Sequence, residues 1–325
     1  MGEFELIRRY FVRANAPRDE VQLGIGDDCA LLNAGGSLAI STDMLVEGRH
    51  FFREVAADAL GHKALAVNLS DLAAMGAEPI AFTLALALPH ERAQDDAWLS
   101  DFARGLFALA DRHHCALIGG DTTAGPLAIT ITVFGRVEPA RALRRDGARA
   151  GDDIWISGTL GDAALALRAM NTIRSGQHCP PCHTLLARVR HRLERPEPRV
   201  ALGRALLDIA TSAIDLSDGL AGDIRRVLER SRLGAEIALD RLPISDDLAS
   251  QARATAWRCA VAGGDDYELC FTANPQHRTA VEHAAANADV RVTRIGRMVD
   301  APGLTWLNAG ESVALDVRGY DHFSA

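Results

Sequence analysis

Lysine is almost absent from this chain of 325 residues, because Lys63 is the only one and arginine supplies nearly all of the positive charge. A P-loop is excluded, since that motif needs a lysine directly after its glycine pattern and residues 60–64 lack it. A kinase-type glycine loop followed by a Val-Ala-x-Lys strand is also missing. Any bound phosphate groups must therefore be held by arginine, backbone amides and metal ions.

Long apolar runs and basic blocks are missing as well. The longest plainly apolar stretch, residues 80–88, is far shorter than the roughly 20 residues needed to cross a bilayer. The N-terminus shows no basic region followed by an apolar one, so we expect no signal peptide and a cytoplasmic protein without a membrane partner. A formal charge of -8 argues against a nucleic-acid partner but leaves small anionic ligands open.

Six cysteines are too few to indicate a disulfide scaffold in a chain of this length. Cys179 and Cys182 form one Cys-Pro-Pro-Cys segment between two histidines, a spacing that resembles half of a zinc knuckle or a redox pair. A second Cys-x-x-Cys is missing. We therefore expect residues 171–198 to form an exposed surface loop, with structural zinc or a redox pair as alternatives.

The length of the chain predicts two domains, at roughly 150 residues per domain, and a hydrophobic content of 48% can fill both cores. The apolar patterns predict strands at 80–88, 116–118 and 127–137 and a helix from 57 to 75, and thus a mixed α and β fold. An arginine-rich connection at 140–150 predicts an N-terminal domain over 1–139 and a C-terminal domain over 151–325.

Carboxylates beside Gly, Ser or Thr recur in five separated segments that contain neither histidine nor cysteine. Oxygen-only ligands favour Mg²⁺, Mn²⁺ or Ca²⁺ over zinc and copper. Any single aspartate could simply cap a helix or a turn. Together, the five predict a shared cluster of metal ions, with magnesium first. The segments are residues 24–28, 41–43, 68–71, 119–123 and 215–219.

Other residues allow a functional or a purely structural interpretation. Arg145 has the planar donor group that suits a phosphate, whereas its neighbour Arg144 is expected to be a solvated linker residue. Gly119 and Gly120 allow close approach of the backbone to a phosphate, or simply a tight turn. Acids in the turn 263–268 could bind a ligand or cap the turn, and Tyr320 and Phe323 could stack on a planar ligand or pack the tail.

The order of these motifs resembles the thiamine-monophosphate kinase family, whose fold is shared with aminoimidazole ribonucleotide synthetase. The resemblance spans nearly the whole chain and includes Gly-Arg-His-Phe at 48–51 and Gly-Tyr-Asp-His-Phe at 319–323. It implies a two-domain α/β (α+β) fold whose N-terminal sheet forms a homodimer interface. It also implies Mg²⁺-assisted in-line transfer of the ATP γ-phosphoryl group to thiamine monophosphate, which yields thiamine diphosphate.

The resemblance also implies roles for individual residues. Asp43 would bridge several magnesium ions, and Asp43, Asp121 and Arg145 would carry the catalytic role. His113 stands where the family often has Tyr near the adenine, and Asp265 stands where Glu is common. The implied metal ligands are Asp28, Ser41, Thr42, Asp43, Asp71, Asp121, Asp215 and Asp218; the nucleotide contacts are Gly120, Asp121, Arg145 and Ser217; the substrate contacts are His50 and Asp265.

Three other functions fit parts of the same pattern. One is an ATP-dependent synthetase of the same fold, although its expected catalytic loops are not visible. Another is a magnesium-dependent phosphatase that uses water as the acceptor, and the third is a sensor that binds Mg-ATP without turnover. The lack of an obvious Ser-His or Cys-His device is expected for the kinase, because a phosphate monoester is already ionised near neutral pH and needs little help from a base.

Overall fold

The computed structural model of the protein describes residues 3–13, 18–23, 25, 30–315 and 317. Asp27, Asp28, Tyr320 and Phe323, which the sequence singled out, lie outside the described residues. The chain divides into two compact units, one of residues 1–72 and 77–140 and the other of residues 73–76 and 141–325. Within the described part of the chain, none of the helices combines the length and apolar character needed to span a bilayer.

The first unit is built around a four-stranded sheet in the order β3-β6-β4-β5, with a separate two-stranded β1-β2 sheet. Only the β4-β5 pair is parallel. Helix α2 is almost entirely buried, as its apolar sequence predicts. The elements of the first unit are α1 (Glu3–Tyr10), β1 (Val21–Leu23), β2 (Leu31–Leu32), β3 (Leu38–Val46), α2 (Ala57–Ala74), β4 (Glu78–Leu88), α3 (His90–Ala93), α4 (Asp96–Arg112), β5 (Ala116–Ala124) and β6 (Ala128–Arg136).

The second unit contains a seven-stranded sheet in the order β13-β12-β9-β11-β7-β10-β8, in which only β9 and β12 run parallel. Strands β7 and β10 are buried on both faces. Its strands are β7 (Asp153–Ser157), β8 (Ala210–Asp215), β9 (Gly234–Ala238), β10 (Leu269–Ala273), β11 (Val292–Val299), β12 (Gly303–Asn308) and β13 (Glu311–Val313).

The α-helices of the second unit are α5 (Asp162–Arg174), α6 (Pro180–Glu194), α7 (Val200–Ala205), α8 (Leu220–Ser231), α9 (Asp246–Ala249), α10 (Arg253–Ala262) and α11 (Arg278–Asn287). Two short 3₁₀ helices, Leu239–Arg241 and Pro275–His277, complete the described connections.

The predicted helix and two of the predicted strands are confirmed by α2, β4 and β6. Two expectations were wrong. The strand at 116–118 continues through both glycines to Ala124, because it pairs along its length with β4. Residues 171–198 do not form a loop, since α5 extends to Arg174 and α6 occupies residues 180–194. Three apolar side chains of α6 and α7, Val189, Leu193 and Val200, are buried, which explains the helical conformation of this polar segment.

Candidate functional site

Strand β3 and helix α2 bring three of the predicted metal ligands to one face of the first unit. Ser41 and Asp43 point to the same side of β3 because side chains alternate along a strand. The Ser41 hydroxyl donates to Asp71 Oδ2 at 2.5 Å, and the Asp43 backbone N–H donates to Asn68 Oδ1 at 3.0 Å. Asn68 is buried and in turn donates to the Ala64 carbonyl, so it holds β3 in place against α2.

The chemistry of this group suits a hard cation. Ser41, Asp43 and Asp71 offer only hydroxyl and carboxylate oxygens, which Mg²⁺ prefers. Thr42, predicted as a further ligand, points to the opposite face of β3, where its hydroxyl lies 2.8 Å from the Thr132 hydroxyl. The alternation of side chains along β3 therefore separates Thr42 from the other three residues.

Asp121 lies at the other edge of the same sheet. Asp43 is in the same row of the sheet as Gly120, but β3 and β5 are the two edge strands. Three inter-strand steps separate their backbones by roughly 14 Å. The sheet of one chain thus does not by itself bring Asp43 and Asp121 together.

Gly120 has a structural reason to be glycine. Its φ is +149°, and a Cβ atom there would lie 1.8 Å from the Leu84 carbonyl oxygen of β4. Any side chain would therefore push β5 away from its parallel neighbour. Gly119 has open space around its Cβ position. Of the two glycines, only Gly119 leaves room beside the backbone on the Cβ side.

The shared metal cluster that the sequence predicted is not visible in the described side chains. Throughout the described ranges, no three His, Cys, Asp or Glu side chains lie close enough to hold one ion. Asp28, a further predicted ligand, lies outside those ranges. The metal-ligand assignments therefore stay predictions, with Ser41, Asp43 and Asp71 as the best-assembled part.

His50 lies in the turn that follows β3. Its Nδ1 accepts a hydrogen bond from the Val46 backbone N–H at 3.0 Å, and its own backbone N–H donates to the Val46 carbonyl at 3.0 Å. A neutral ring that accepts at Nδ1 carries its proton on Nε2. His50 can thus donate a hydrogen bond through Nε2, which suits its predicted role as a substrate contact.

Two loops of the second unit lie backbone to backbone and bring together the predicted residues Ser217 and Asp265. The Asp265 N–H donates to the Ser217 carbonyl at 2.9 Å, and the Tyr267 N–H donates to the Leu216 carbonyl at 2.8 Å. Asp215 ends β8 directly before the first of these loops and is buried. The structure thus places a predicted metal position, a nucleotide position and a substrate position along one pair of loops.

Asp223 is a buried acid beside the predicted ligand Asp218 that the sequence reasoning did not single out. Its Oδ2 accepts a hydrogen bond from the Asp218 backbone N–H at 3.0 Å, and Asp218 Oδ2 accepts one from Arg226 at 2.6 Å. Burial, and then the charge of Asp218, raise the pKa of Asp223 to about 7. An acid in the first turn of α8, five residues after Asp218, was the available signal.

The two adjacent arginines of the connection have different surroundings. Arg144 pairs with Asp146 through two hydrogen bonds, at 2.9 and 2.7 Å, on the exposed surface. Arg145 is exposed, and its positive charge lowers the pKa of Asp223, which places it within electrostatic reach of the Asp218 loop. Arg145 therefore remains the arginine of the pair that suits an anionic ligand.

The acids of the 263–268 turn do more than cap it. Glu268 is completely buried and binds Arg192 at 2.8 Å, Arg199 at 2.6 Å and the Ser157 hydroxyl at 2.6 Å. Its backbone carbonyl accepts from the Leu216 N–H at 2.8 Å. Glu268 thus anchors the loop that carries Ser217 to the core of the second unit.

Gly158 leaves space for the Glu268 carboxylate. Its φ is +56°, and a Cβ atom there would lie 2.1 Å from Glu268 Oε1. The neighbouring acid, Asp266, accepts the Gly161 N–H with both carboxylate oxygens, at 2.9 and 3.0 Å. Burial raises the pKa of Asp266 well above its ordinary value. Asp266 therefore holds the start of α5 against the turn.

His113, which the resemblance placed where the family often has tyrosine, directly follows the last residue of helix α4. Burial, followed by the charges of Arg112, His62 and His114, lowers its pKa to about 4. Its Nε2 is buried and has no hydrogen-bond partner among the described residues. His113 is therefore neutral near pH 7.

Two family models match the chain consecutively. The N-terminal domain of AIR synthase related proteins matches residues 26–137, and the C-terminal domain matches residues 149–306. Both units of the structure thus have a counterpart in that family.

Individual relatives match over almost the full length. Thiamine-monophosphate kinase of Escherichia coli K12 is 48% identical over 99% of this chain and 98% of its own. The crystal structure of thiamine-monophosphate kinase from Stenotrophomonas maltophilia is 48% identical, with a TM-score of 0.81 over 91% of this chain and 93% of that one. AaThiL, complexed with AMPPCP and TMP, is 29% identical, with a TM-score of 0.75 over 88% and 87%. The chain therefore belongs to the thiamine-monophosphate kinase family, within the AIR synthase related proteins.

Proposed function

We propose that this protein transfers the γ-phosphoryl group of ATP to thiamine monophosphate and produces thiamine diphosphate and ADP. The observation that carries the proposal is the 48% identity to a thiamine-monophosphate kinase over 99% of the chain. A relative of the same fold, AaThiL, binds both AMPPCP and TMP. We place this activity in the cytoplasm, where ATP is supplied.

In this proposal, Ser41, Asp43 and Asp71 hold magnesium in the first unit. Bound magnesium would supply charge neutralisation of the phosphate oxygens. Asn68 keeps the backbone of Asp43 in position, so the carboxylate is oriented before the nucleotide arrives. Asp28, Asp121, Asp215 and Asp218 remain the other proposed metal ligands, whereas Thr42, also predicted, faces the opposite side of β3.

The remaining residues bind and orient the two substrates. Arg145 donates to phosphate oxygens, and the exposed guanidinium has the planar geometry for two parallel hydrogen bonds. Gly120 and Ser217 contact the nucleotide. His50 donates from Nε2 to the phosphate of thiamine monophosphate, and Asp265 contacts the same substrate. Because the acceptor phosphate of thiamine monophosphate is already ionised, its alignment with the γ-phosphoryl group is sufficient and no general base is needed.

A chromatographic assay with ATP, Mg²⁺ and thiamine monophosphate tests this function. We expect thiamine diphosphate from the monophosphate and no phosphorylated product from unphosphorylated thiamine as a parallel acceptor. Release of inorganic phosphate instead would indicate the phosphatase. Tight binding of Mg-ATP without any product would indicate the synthetase or the sensor and would contradict the kinase.

We also propose a homodimer joined through the sheets of the first unit. Ile40 and Met44 on β3 are 60% and 55% exposed, which is unusual for large apolar side chains on a sheet face. Asp43 and Asp121 lie on opposite edge strands. If the β3 edge of each sheet meets the β5 edge of the other and the two sheets close around this face, both apolar residues are covered and the Asp121 of one copy comes near the Asp43 of the other.

The double variant Ile40→Lys/Met44→Lys should be a monomer in light scattering, while the wild type is a dimer. Two charges placed in an apolar interface cannot be buried without a large cost, so association should fail. Leu167→Lys, at an exposed position on α5, is the matched control and should stay dimeric. A monomeric wild type, or a double variant that still forms dimers, would contradict the proposed interface.

A further inference from the structure

The Cys-Pro-Pro-Cys segment has no part in the proposed kinase reaction, yet the structure gives it a definite geometry. The Sγ atoms of Cys179 and Cys182 are bonded to each other. Cys179 is the residue before α6, and Cys182 is in its first turn, after two prolines. His178 and His183 form no metal-binding group with the two sulfurs in the part of the chain that is described.

This disulfide does not tie distant parts of the fold together. It joins residues only three positions apart, on the same turn. The loss of chain entropy that a disulfide imposes on the unfolded state increases with loop length, so such a short loop stabilises least. The bond is therefore poorly explained as a structural staple.

Cys179 and Cys182 differ in accessibility from the other cysteines that the structure describes. Cys179 and Cys182 are partly exposed, and the residues around them, from Ser175 to His178 and again at His183, are exposed. Cys115, Cys259 and Cys270 are buried and unpaired. Burial raises the pKa of each of these three thiols, that of Cys115 to about 12, so they are poor nucleophiles.

The surroundings of the pair favour a thiolate. The N-terminus of a helix of fifteen residues carries the positive end of the helix dipole, and its first turn holds no acidic residue. A Cys-x-x-Cys pair at a helix N-terminus is the environment in which thiols become reactive. We propose that Cys179 and Cys182 are a redox-active pair that cycles between dithiol and disulfide by exchange with low-molecular-weight thiols and disulfides.

The exchange conserves atoms and electrons with a low-molecular-weight disulfide as the oxidant. One protein thiolate attacks a sulfur of that disulfide, forms a mixed disulfide and releases one thiolate, which takes up a proton. The second protein thiolate then attacks the protein sulfur of the mixed disulfide, closes the Cys179–Cys182 bond and releases the second thiol. Two electrons pass from the protein to the reagent, and excess thiol reverses both steps.

The test uses the full chain, equilibrated without oxygen in buffers of varied reduced-to-oxidised glutathione ratio. The samples are acid-quenched, denatured and alkylated, and alkylated thiols are counted by mass. We expect the count to fall by two in a single transition, with the same curve from reduced and from oxidised protein. Peptide mapping should assign both thiols to Cys179 and Cys182.

Cysteine variants and a zinc measurement distinguish a redox-active pair from an inert disulfide and from a metal site. Cys182→Ser should accumulate one glutathione adduct on Cys179, because the resolving thiol is missing, and Cys259→Ala should keep the wild-type transition. A pair that stays fully oxidised or fully reduced across the whole series would overturn the proposal. Retention of one zinc per chain by reduced protein after desalting, lost in Cys179→Ser/Cys182→Ser, would overturn it in favour of a metal site.

Discussion

Asp43→Asn should lower kcat for thiamine diphosphate formation by at least about 10²–10³-fold, the loss typical when one electrostatic contact to a transition state is removed. The amide has nearly the same shape, and the backbone N–H of residue 43 can still donate to Asn68. The fold should therefore persist while the negative charge that holds magnesium is lost. The measurement is the chromatographic assay at saturating ATP and thiamine monophosphate.

Asp101→Asn is the matched control for this variant. Asp101 is an exposed aspartate of the same unit, on α4, where it pairs with Arg104 at 2.8 Å. The control makes the same chemical change away from the proposed ligands, and kcat should stay near that of the wild type. Full activity of Asp43→Asn at ordinary magnesium concentration would defeat the role assigned to Asp43.

Glu268→Gln should lower the free energy of unfolding by about 3–5 kcal/mol, the usual effect of removing one member of a buried ion pair. Arg192 and Arg199 have side chains only 14% and 15% exposed, and both depend on this carboxylate. Without it, two largely buried guanidinium groups lose their shared ion-pair partner. Urea unfolding followed by circular dichroism measures the change.

Glu236→Gln provides the comparison within the same unit. Glu236 pairs with Arg297 at 2.8 Å, but the Arg297 side chain is 65% exposed, so solvent screens the pair. Its removal should cost less than about 1 kcal/mol. Equal losses of unfolding free energy in the two variants would contradict this prediction, because they would show that burial does not strengthen the ion pairs of Glu268.

The structure also changes how the acidic motifs are understood. The sequence pattern predicted that the segments 41–43, 68–71 and 119–123 belong to one metal cluster. The sheet order separates them into a group on β3 and α2 and a second position on β5. That separation is the physical reason for proposing that the sheets of two copies join.

The sequence by itself was sufficient for the family and for several elements. The order of the glycine- and acid-containing motifs predicted the kinase family, and the apolar patterns predicted α2, β4 and β6. These features depend on local spacing, which a sequence displays directly. The i,i+3 spacing of Asn68 and Asp71 also predicts that they share one face of α2, whereas their contacts with β3 come from the structure.

Only the tertiary structure decided which side chains meet. Thr42 lies on the opposite face from Ser41 and Asp43 because strand side chains alternate, and the strand had to be placed before that face had meaning. Glu268 became an anchor only when Arg192 and Arg199, which lie 76 and 69 positions away, closed over it. Contacts between residues distant in sequence come from packing of whole elements, and local patterns do not specify them.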